Sequence, residues 1–356
     1  MTAEGVSNIY LQTQCKKRTA HLDFDVETWY KWLEPVTFKT EFYCLSFEQA
    51  KAFITLYQHR YNHRRPPSNE ELMLLTGVEK SIEAAMAQPT QTADLHPFFV
   101  RLSMRSPKDA VPVRMSSFQE ARQRLNADPC YGEEGQSFET NRNMVALSDC
   151  MSDMAVSSGL AAMRLLTSSE RIFTDLLVAT ATAELYAKHP LKVILRVWEQ
   201  RLNHRFEFRA FVSGGELTAI SQYNHYCYFP EVVERKQELL KLLHGFWSAE
   251  VRQRVPVPDY VVDFAVLDPM EGRSEVVVVE LNPFESTTGG ALYDWRADWE
   301  ALTRGPLSFR VHEAPLESIK DYVDYAMEEI ATAEADVSDW RPAADLPNAV
   351  SRCALM

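Results

Sequence analysis

The 356-residue sequence contains no CxxC pair; its six cysteines, Cys15, Cys44, Cys130, Cys150, Cys227 and Cys353, are scattered. That spacing excludes a zinc site on paired thiols and a disulfide framework, and the cysteines read as reduced thiols of a cytoplasmic protein. No apolar run approaches the ~20 residues that a membrane helix needs, and the polar N-terminal residues carry no secretory signal. A surplus of positive charge is missing too. The net charge of -13 argues against a membrane surface or an extensive nucleic-acid surface and leaves room only for a local basic groove. There is no GxxxxGK[ST] loop, no GxGxxG turn after a strand, no GxSxG elbow and no HExxH helix, so neither a P-loop nor a dinucleotide site is supported. The nine histidines show no metal-ligand spacing. What is present is a 46% hydrophobic chain, long enough to bury a large core as one elaborate domain or two lobes.

The stretch from Asp259 to Phe284, DYVVDFAVLDPMEGRSEVVVVELNPF, carries the strongest local pattern. Arms rich in Val, Phe and Leu, Tyr260 to Leu267 and Glu275 to Leu281, flank Asp268-Pro269-Met270-Glu271-Gly272-Arg273, whose residue types favour a turn. The pattern predicts a β-hairpin. With its centre between Glu271 and Gly272, Asp263 falls opposite Glu280, and Asn282 points to the same face two residues on. Two carboxylates among apolar neighbours repel unless something positive lies between them. Asp, Glu and Asn offer oxygen ligands only, too few to cage an ion alone, which fits Mg²⁺ shared with a phosphate chain. The alternative is an acid that meets an arginine or faces water.

Elsewhere the chain reads as follows. Residues 1–25 are polar and unpatterned, a flexible tail. Trp29, Tyr30 and Trp32 read as core packing. Residues 46–61 have helical apolar spacing with Ser46 as N-cap, and 69–88 predict a helix interrupted or restarted near Gly77. In HPFFVRLSMRSPKDAVPV, Phe98 to Leu102 is a short strand with Arg101 as its odd member. The turn from Ser103 to Asp109 carries Arg105 and Lys108 beside small hydroxyls, either a phosphate receptor or an exposed basic turn. Residues 127–143 read as an acidic, loosely structured loop and the segment that follows, through Ala187, as helix, with 165–187 its firmest part. LKVILRVW, residues 191–198, has the pattern of a buried strand. Gly214-Gly215 marks a hairpin turn whose symmetry sets Arg209 opposite Ile220 and Glu207 opposite Gln222. Glu207, Arg209 and Gln222 then share one face, as a ligand-facing set or as a surface ion pair. Residues 231–252 read as an amphipathic helix, STTGG after Phe284 as a loop over a ligand, 316–334 as a closing helix and 336–356 as a tail.

FFVRLSMRSPKDA, LRVW, EFRAFV, AISQ, and VVDFAV followed by ELNPF occur in the order and approximate spacing of the cell division cycle protein 123 family, which this sequence resembles; WYKW and LYDW extend the likeness to roughly residues 28–305. The resemblance implies an α+β, ATP-grasp fold in which two lobes with mainly antiparallel sheets clasp a nucleotide. It divides the chain into an N-terminal lobe with helical insertions over 26–200 and a C-terminal lobe over 201–335 that contains the metal hairpin 259–284. The implied cofactors are ATP and Mg²⁺. The family's metal-binding positions fall on Asp263, Glu280 and Asn282, the three that the hairpin symmetry selects. Its phosphate-contacting segment falls on Arg101, Ser103, Met104, Ser106, Lys108 and Asp109, and its inter-lobe hinge on Leu195, Arg196, Val197 and Trp198, whose backbone would hydrogen-bond adenine. Glu207 and Arg209 match its EFR, with Gln222 in the following AISQ; Arg209 and Lys108 are the candidates for contact with transferred phosphate. Four positions depart from the family's usual residues: Arg101 stands for Lys, Ser103-Met104 for Asn-Trp and Glu280 for Asp. The resemblance implies a monomeric, ATP-dependent assembly chaperone for the γ subunit of eukaryotic translation initiation factor 2. Two other readings are an ATP-grasp ligase that activates a carboxylate or phosphate on a protein, small-molecule or RNA substrate, and a scaffold that binds partners without nucleotide.

Overall fold

A computed structural model describes residues 13, 16, 18–87, 96–269, 274–332 and 340–341. Most of the expected tails 1–25 and 336–356, and the hairpin turn 270–273, lie outside the described residues. Two sheets form. The smaller contains β1 (Thr40–Cys44), β2 (Phe98–Leu102), β3 (Ala155–Val156) and β4 (Lys192–Val197) in the order β1-β4-β2-β3, with every pair antiparallel. The larger contains β5 (Glu207–Ser213), β6 (Glu216–Gln222), β7 (Tyr260–Leu267), β8 (Glu275–Pro283) and β9 (Ser308–Arg310), ordered β8-β7-β5-β6-β9. Its pairs are antiparallel except β6 with β9.

Period-two alternation explains how the sheets meet. On β2, Phe98, Val100 and Leu102 join Val193 and Leu195 of β4 in a core shared with the helices Phe47–Asn62, Asn69–Met86 and Gly159–Ser168. The other face of the same strands presents Arg101, Ile194 and Arg196; Ile194 belongs to the core of the larger sheet, and both arginines reach β8. Arg101 thus disrupts the apolar run of its strand because that face meets a second sheet and not a helix layer.

The cores redraw the expected division of the chain. The boundary near residue 200 separates β4 from β5, but Val26, Trp29, Leu33 and residues of the helices Met115–Ala127 and Gln136–Ser152 pack with the larger sheet. The smaller core reaches in turn to Trp340. Trp29 is fully buried, as expected of core packing.

Several expected elements need correction. Ser46 forms a capping box with Gln49, but Asn69–Met86 runs unbroken through Gly77 behind its own Ser68 capping box. The segment 127–143 is a loop only as far as Gly135, with a short 3-10 turn at Pro129–Tyr131. From Gln136 it is helical, because Glu139 is clamped by Arg122 and Arg142 and buried Asn141 closes two hydrogen bonds with the Tyr228 backbone, at 2.9 and 2.7 Å. The expected helix 165–187 is three helices, Gly159–Ser168, Glu170–Ala179 and Ala183–Lys188. Ser169 and Thr182 restart it as N-caps that accept from Ile172 N and Leu185 N. Likewise 231–252 divides into Pro230–Glu234, Lys236–Phe246 and a π-turn at Trp247–Val251. Cys44, Cys130, Cys150 and Cys227 are free thiols, and no described helix is long and apolar enough to cross a membrane.

Candidate functional site

The charged side chains singled out in the sequence converge where β2 and β4 of the smaller sheet meet β8. Asp263 pairs with Glu280 across β7 and β8, and Asn282 Nδ2 donates to Asp263 Oδ2 at 3.2 Å, so the expected triad shares one face. Near the turn the pairs are Leu267 with Glu275 and Val266 with Val276; an extra residue at Val279 shifts the register before Asp263 is reached. The pairs next to the turn are therefore one residue out of step with Asp263–Glu280, and the bulge restores the pairing that the expected symmetry gives.

Each acid has a cation. Arg209 on β5 lies opposite Asp263 and grips it through two hydrogen bonds of 2.8 Å, Nε to Oδ1 and Nη2 to Oδ2. Its Nη1 donates to Gly289 O at 2.7 Å, and its guanidinium covers the Tyr223 ring at 4.9 Å. Arg101 Nη1 lies 2.7 Å from Glu280 Oε1, with Nη2 and Nε donating to the carbonyls of Met104 and Leu102 at 2.8 and 3.1 Å. Lys108 Nζ donates to the Tyr223 hydroxyl at 3.3 Å. Of the two sequence-based alternatives for these acids, arginine partners are therefore realised for both. Among the described residues no group of three or more His, Cys, Asp and Glu is placed to hold a metal ion. The all-oxygen set of Asp263, Glu280 and the Asn282 amide still matches a hard cation that completes its shell elsewhere; such a cation would compete with Arg209 and Arg101.

Burial and charge oppose one another across this face. Burial pushes the Glu207 carboxyl up, reinforced by Asp263 and Glu280 and resisted by Lys108 and Arg209, to about 8. Burial also raises Asp263, against the pull of Arg209. Glu280 goes the other way: burial acts upward, but Arg101, with Arg209 and Lys108, holds its carboxyl below the usual range. Arg196 is pushed down by burial and by Arg101. The opposed shifts separate Glu207, which keeps its proton near neutrality, from Glu280, which does not.

Other expected site residues do different work. Ser103 is fully buried; its hydroxyl donates to Glu27 Oε1 at 2.9 Å and accepts from Lys192 N at 3.0 Å. Asp109 accepts from Ser169 Oγ at 2.5 Å and Arg171 N at 3.1 Å, fixing the start of Glu170–Ala179. Ser106 offers its carbonyl to Arg171 Nε, and Met104 packs on the smaller core. In the expected hinge, the amides of Val197 and Trp198 already donate to Lys39 O and Pro97 O, both at 2.9 Å, Leu195 lies in the smaller core, and Arg196 points at β8. Gln222 is a correction. A bulge in β5–β6 pairs Arg209 with Ser221 and Phe208 with Gln222, which turns Gln222 to the opposite face. There it donates to Asn224 O and Cys227 O and accepts from His312 N. The sequence reading missed Tyr223, which lies under both Arg209 and Lys108, and Arg171, whose charged neighbours include Glu280 and Asp109. Tyr223 follows directly on AISQ; Arg171 lies in the first turn of Glu170–Ala179 and leaves no signal. Two hollows of about 260 and 440 Å³ lie elsewhere, beside Val193 and Val277.

A family model described as D123 matches residues 151–328, half of the chain. The translation initiation factor eIF2 assembly protein of Vanderwaltozyma polyspora is 29% identical over 115 residues, 32% of this chain and 28% of that protein. The protein of the same name from Xenopus tropicalis is 26% identical over 111 residues, 30% of this chain and 32% of its own. Cell division cycle protein 123 of Candida glabrata is 28% identical over 106 residues, 29% of this chain and 28% of its own. The match thus spans about a third or less of the length of these curated relatives. The solved structure of Cdc123 from Schizosaccharomyces pombe superimposes with a TM-score of 0.51 at 16% identity, covering 82% of this chain and 96% of that one. At that identity the likeness is one of fold, a mixed α+β architecture with antiparallel sheets.

Proposed function

Since the chain belongs to the D123 family, that of the cell division cycle protein 123 relatives, we propose that it is a Mg²⁺-ATP-binding protein of the ATP-grasp type that assists assembly of translation initiation factor eIF2, through its γ subunit. The observation that carries the nucleotide part is the meeting of Asp263, Glu280 and Asn282 with Arg209, Arg101 and Lys108 at the junction of two antiparallel sheets. Asp263, Glu280 and Asn282 would hold the metal, and the three cations would face the phosphates. When bound, Mg²⁺ neutralises phosphate charge. Arg101 and Arg209 already sit on carboxylates, so on this reading they exchange a protein carboxylate for a phosphate as ligand enters. The assembly part rests on the names of the relatives from Vanderwaltozyma polyspora and Xenopus tropicalis.

The ligase reading would draw on Glu207, whose carboxyl is raised to about 8 by burial and by Asp263, as the group that moves a proton. A single experiment separates the readings. Calorimetry with ATP and Mg²⁺ is run on the wild type, Asp263→Asn and Glu280→Gln, followed by capture from a eukaryotic lysate with ATP and Mg²⁺ present. Metal-dependent binding that weakens in both variants, with recovery of the eIF2 γ subunit and no covalent product, is the expected result. Unchanged ATP affinity in the variants would overturn the site. A covalent product with ADP or AMP release would replace the chaperone by the ligase.

A further inference from the structure

The face taken by Glu280 and Asn282 is set by one extra residue. Val276 and Val278 enter the core of the larger sheet, while Val277 packs opposite with Ala265 and Leu267, and Val279 lies beside them. Strict alternation would put Glu280 in the core and Leu281 on the Asp263 face. Instead Asp263 pairs with Glu280 and Phe264 with Val278, skipping Val279. Leu281 therefore enters the core, and Glu280 and Asn282 join Asp263.

The skipped residue is held from the other sheet. Val279 O accepts from Arg196 Nη1 at 2.6 Å. Arg196 Nη2 donates to Thr37 Oγ1 at 2.7 Å, and Thr37 Oγ1 donates to Val278 O at 2.6 Å; Thr37 also bridges Val278 through its backbone. The guanidinium packs over the Phe38 ring at 4.8 Å, and Arg196 as a residue is 3% exposed. Its hydrogen bonds to Val279 O and Thr37 Oγ1 reach no carboxylate; Glu280 supports the charge only through space, against burial and Arg101, and a charge that deep is costly. Its contacts have one shared effect: they fix the strand where its alternation changes phase.

We propose that Arg196, with Thr37, is the positioning residue that holds the Val279 bulge and so keeps Glu280 and Asn282 on the Asp263 face. The consequence for binding rests on the Mg²⁺-ATP reading; the structural arm does not. The test compares the wild type, Arg196→Met, Arg196→Lys and Thr37→Val by cross-strand backbone NOEs and by calorimetry with Mg²⁺ and ATP. In Arg196→Met the contact of Asp263 moves from Glu280 to Val279, and Mg²⁺-ATP affinity falls about 10- to 100-fold, the scale seen when a residue behind a metal ligand is lost. Arg196→Lys, which keeps the charge and one donor toward Val279 O, restores the Asp263–Glu280 contact. Thr37→Val acts in the same direction with a smaller loss and decides the matter if Arg196→Met does not fold. An Asp263–Glu280 contact that persists in a folded Arg196→Met or Thr37→Val protein overturns the inference; a moved contact with unchanged affinity upholds the role of Arg196 and overturns the Mg²⁺-ATP reading of this face. A wild type that binds no Mg²⁺-ATP removes the proposed function, and the NOE arm still decides the role of Arg196.

Discussion

The hairpins β5–β6 and β7–β8 each carry one extra residue, and the two bulges act in opposite directions on the face that holds Asp263 and Arg209. In β5–β6 the extra residue is Thr218, buried, with its hydroxyl donating to Leu302 O at 2.6 Å. Its insertion leaves Arg209 facing Ser221 and sends Gln222 away to tie down the backbone at Asn224 and Cys227. In β7–β8 the extra residue is Val279, held by Arg196, and its insertion brings Glu280 and Asn282 to that face. One bulge is pinned from within its own lobe, the other from the opposite sheet. The difference teaches that the composition of this face depends on contacts between sheets as well as on strand pattern.

The largest expected effect comes from breaking the ion pair that the two hairpins share. Asp263→Ala leaves Arg209, only 8% exposed, without its carboxylate and is expected to cost about 3–5 kcal/mol in urea unfolding, as for other buried pairs that lose one partner. Asp263→Ala combined with Arg209→Met is expected to recover much of that loss. A double variant no more stable than the single one would show that the two hairpins are not coupled through this pair.

A smaller effect sharpens the comparison of carboxyls on the two hairpins. The Glu207 carboxyl is raised to about 8 in the folded state, above the ~4.3 of an unfolded Glu. The folded state therefore binds more protons than the unfolded state between those values, and this residue's contribution to stability falls as pH rises from about 4 to 8. Glu207→Gln is expected to remove that slope, leaving stability nearly unchanged at pH 4 and raising it by about 1–3 kcal/mol at pH 8. Thermal unfolding across that range checks it; an unaltered slope would refute the assignment.

The smallest effect isolates the other bulge. Thr218→Val keeps the shape but leaves Leu302 O without its hydroxyl donor, for an expected loss of about 1 kcal/mol. Mg²⁺-ATP affinity should be unchanged, in contrast to Arg196→Met. Equal losses of affinity in the two variants would erase the distinction between the bulges.

The sequence by itself made legible the strands Phe98–Leu102 and Lys192–Val197, the two hairpins and the place of the Gly214-Gly215 turn, whereas the shared face of Asp263, Glu280 and Asn282 depends on the bulge at Val279. Turn chemistry and period-two alternation are local, and both glycines take the positive φ that such a turn requires. It also separated a charged stretch from its apolar surroundings at Arg101, because a guanidinium in a short apolar strand has to find a partner. Tertiary structure decided the rest. An extra residue in a strand leaves no mark in an apolar run, so Gln222 was read onto the wrong face. Ser103 and Asp109 look like phosphate contacts in sequence, but hydroxyls and carboxylates also serve as caps and ties, and only the neighbouring helices show which role they take. The partners of Asp263 and Glu280 come from strands far away in the chain, and a charge that must be buried is matched by whichever opposite charge the packing of two sheets brings within reach.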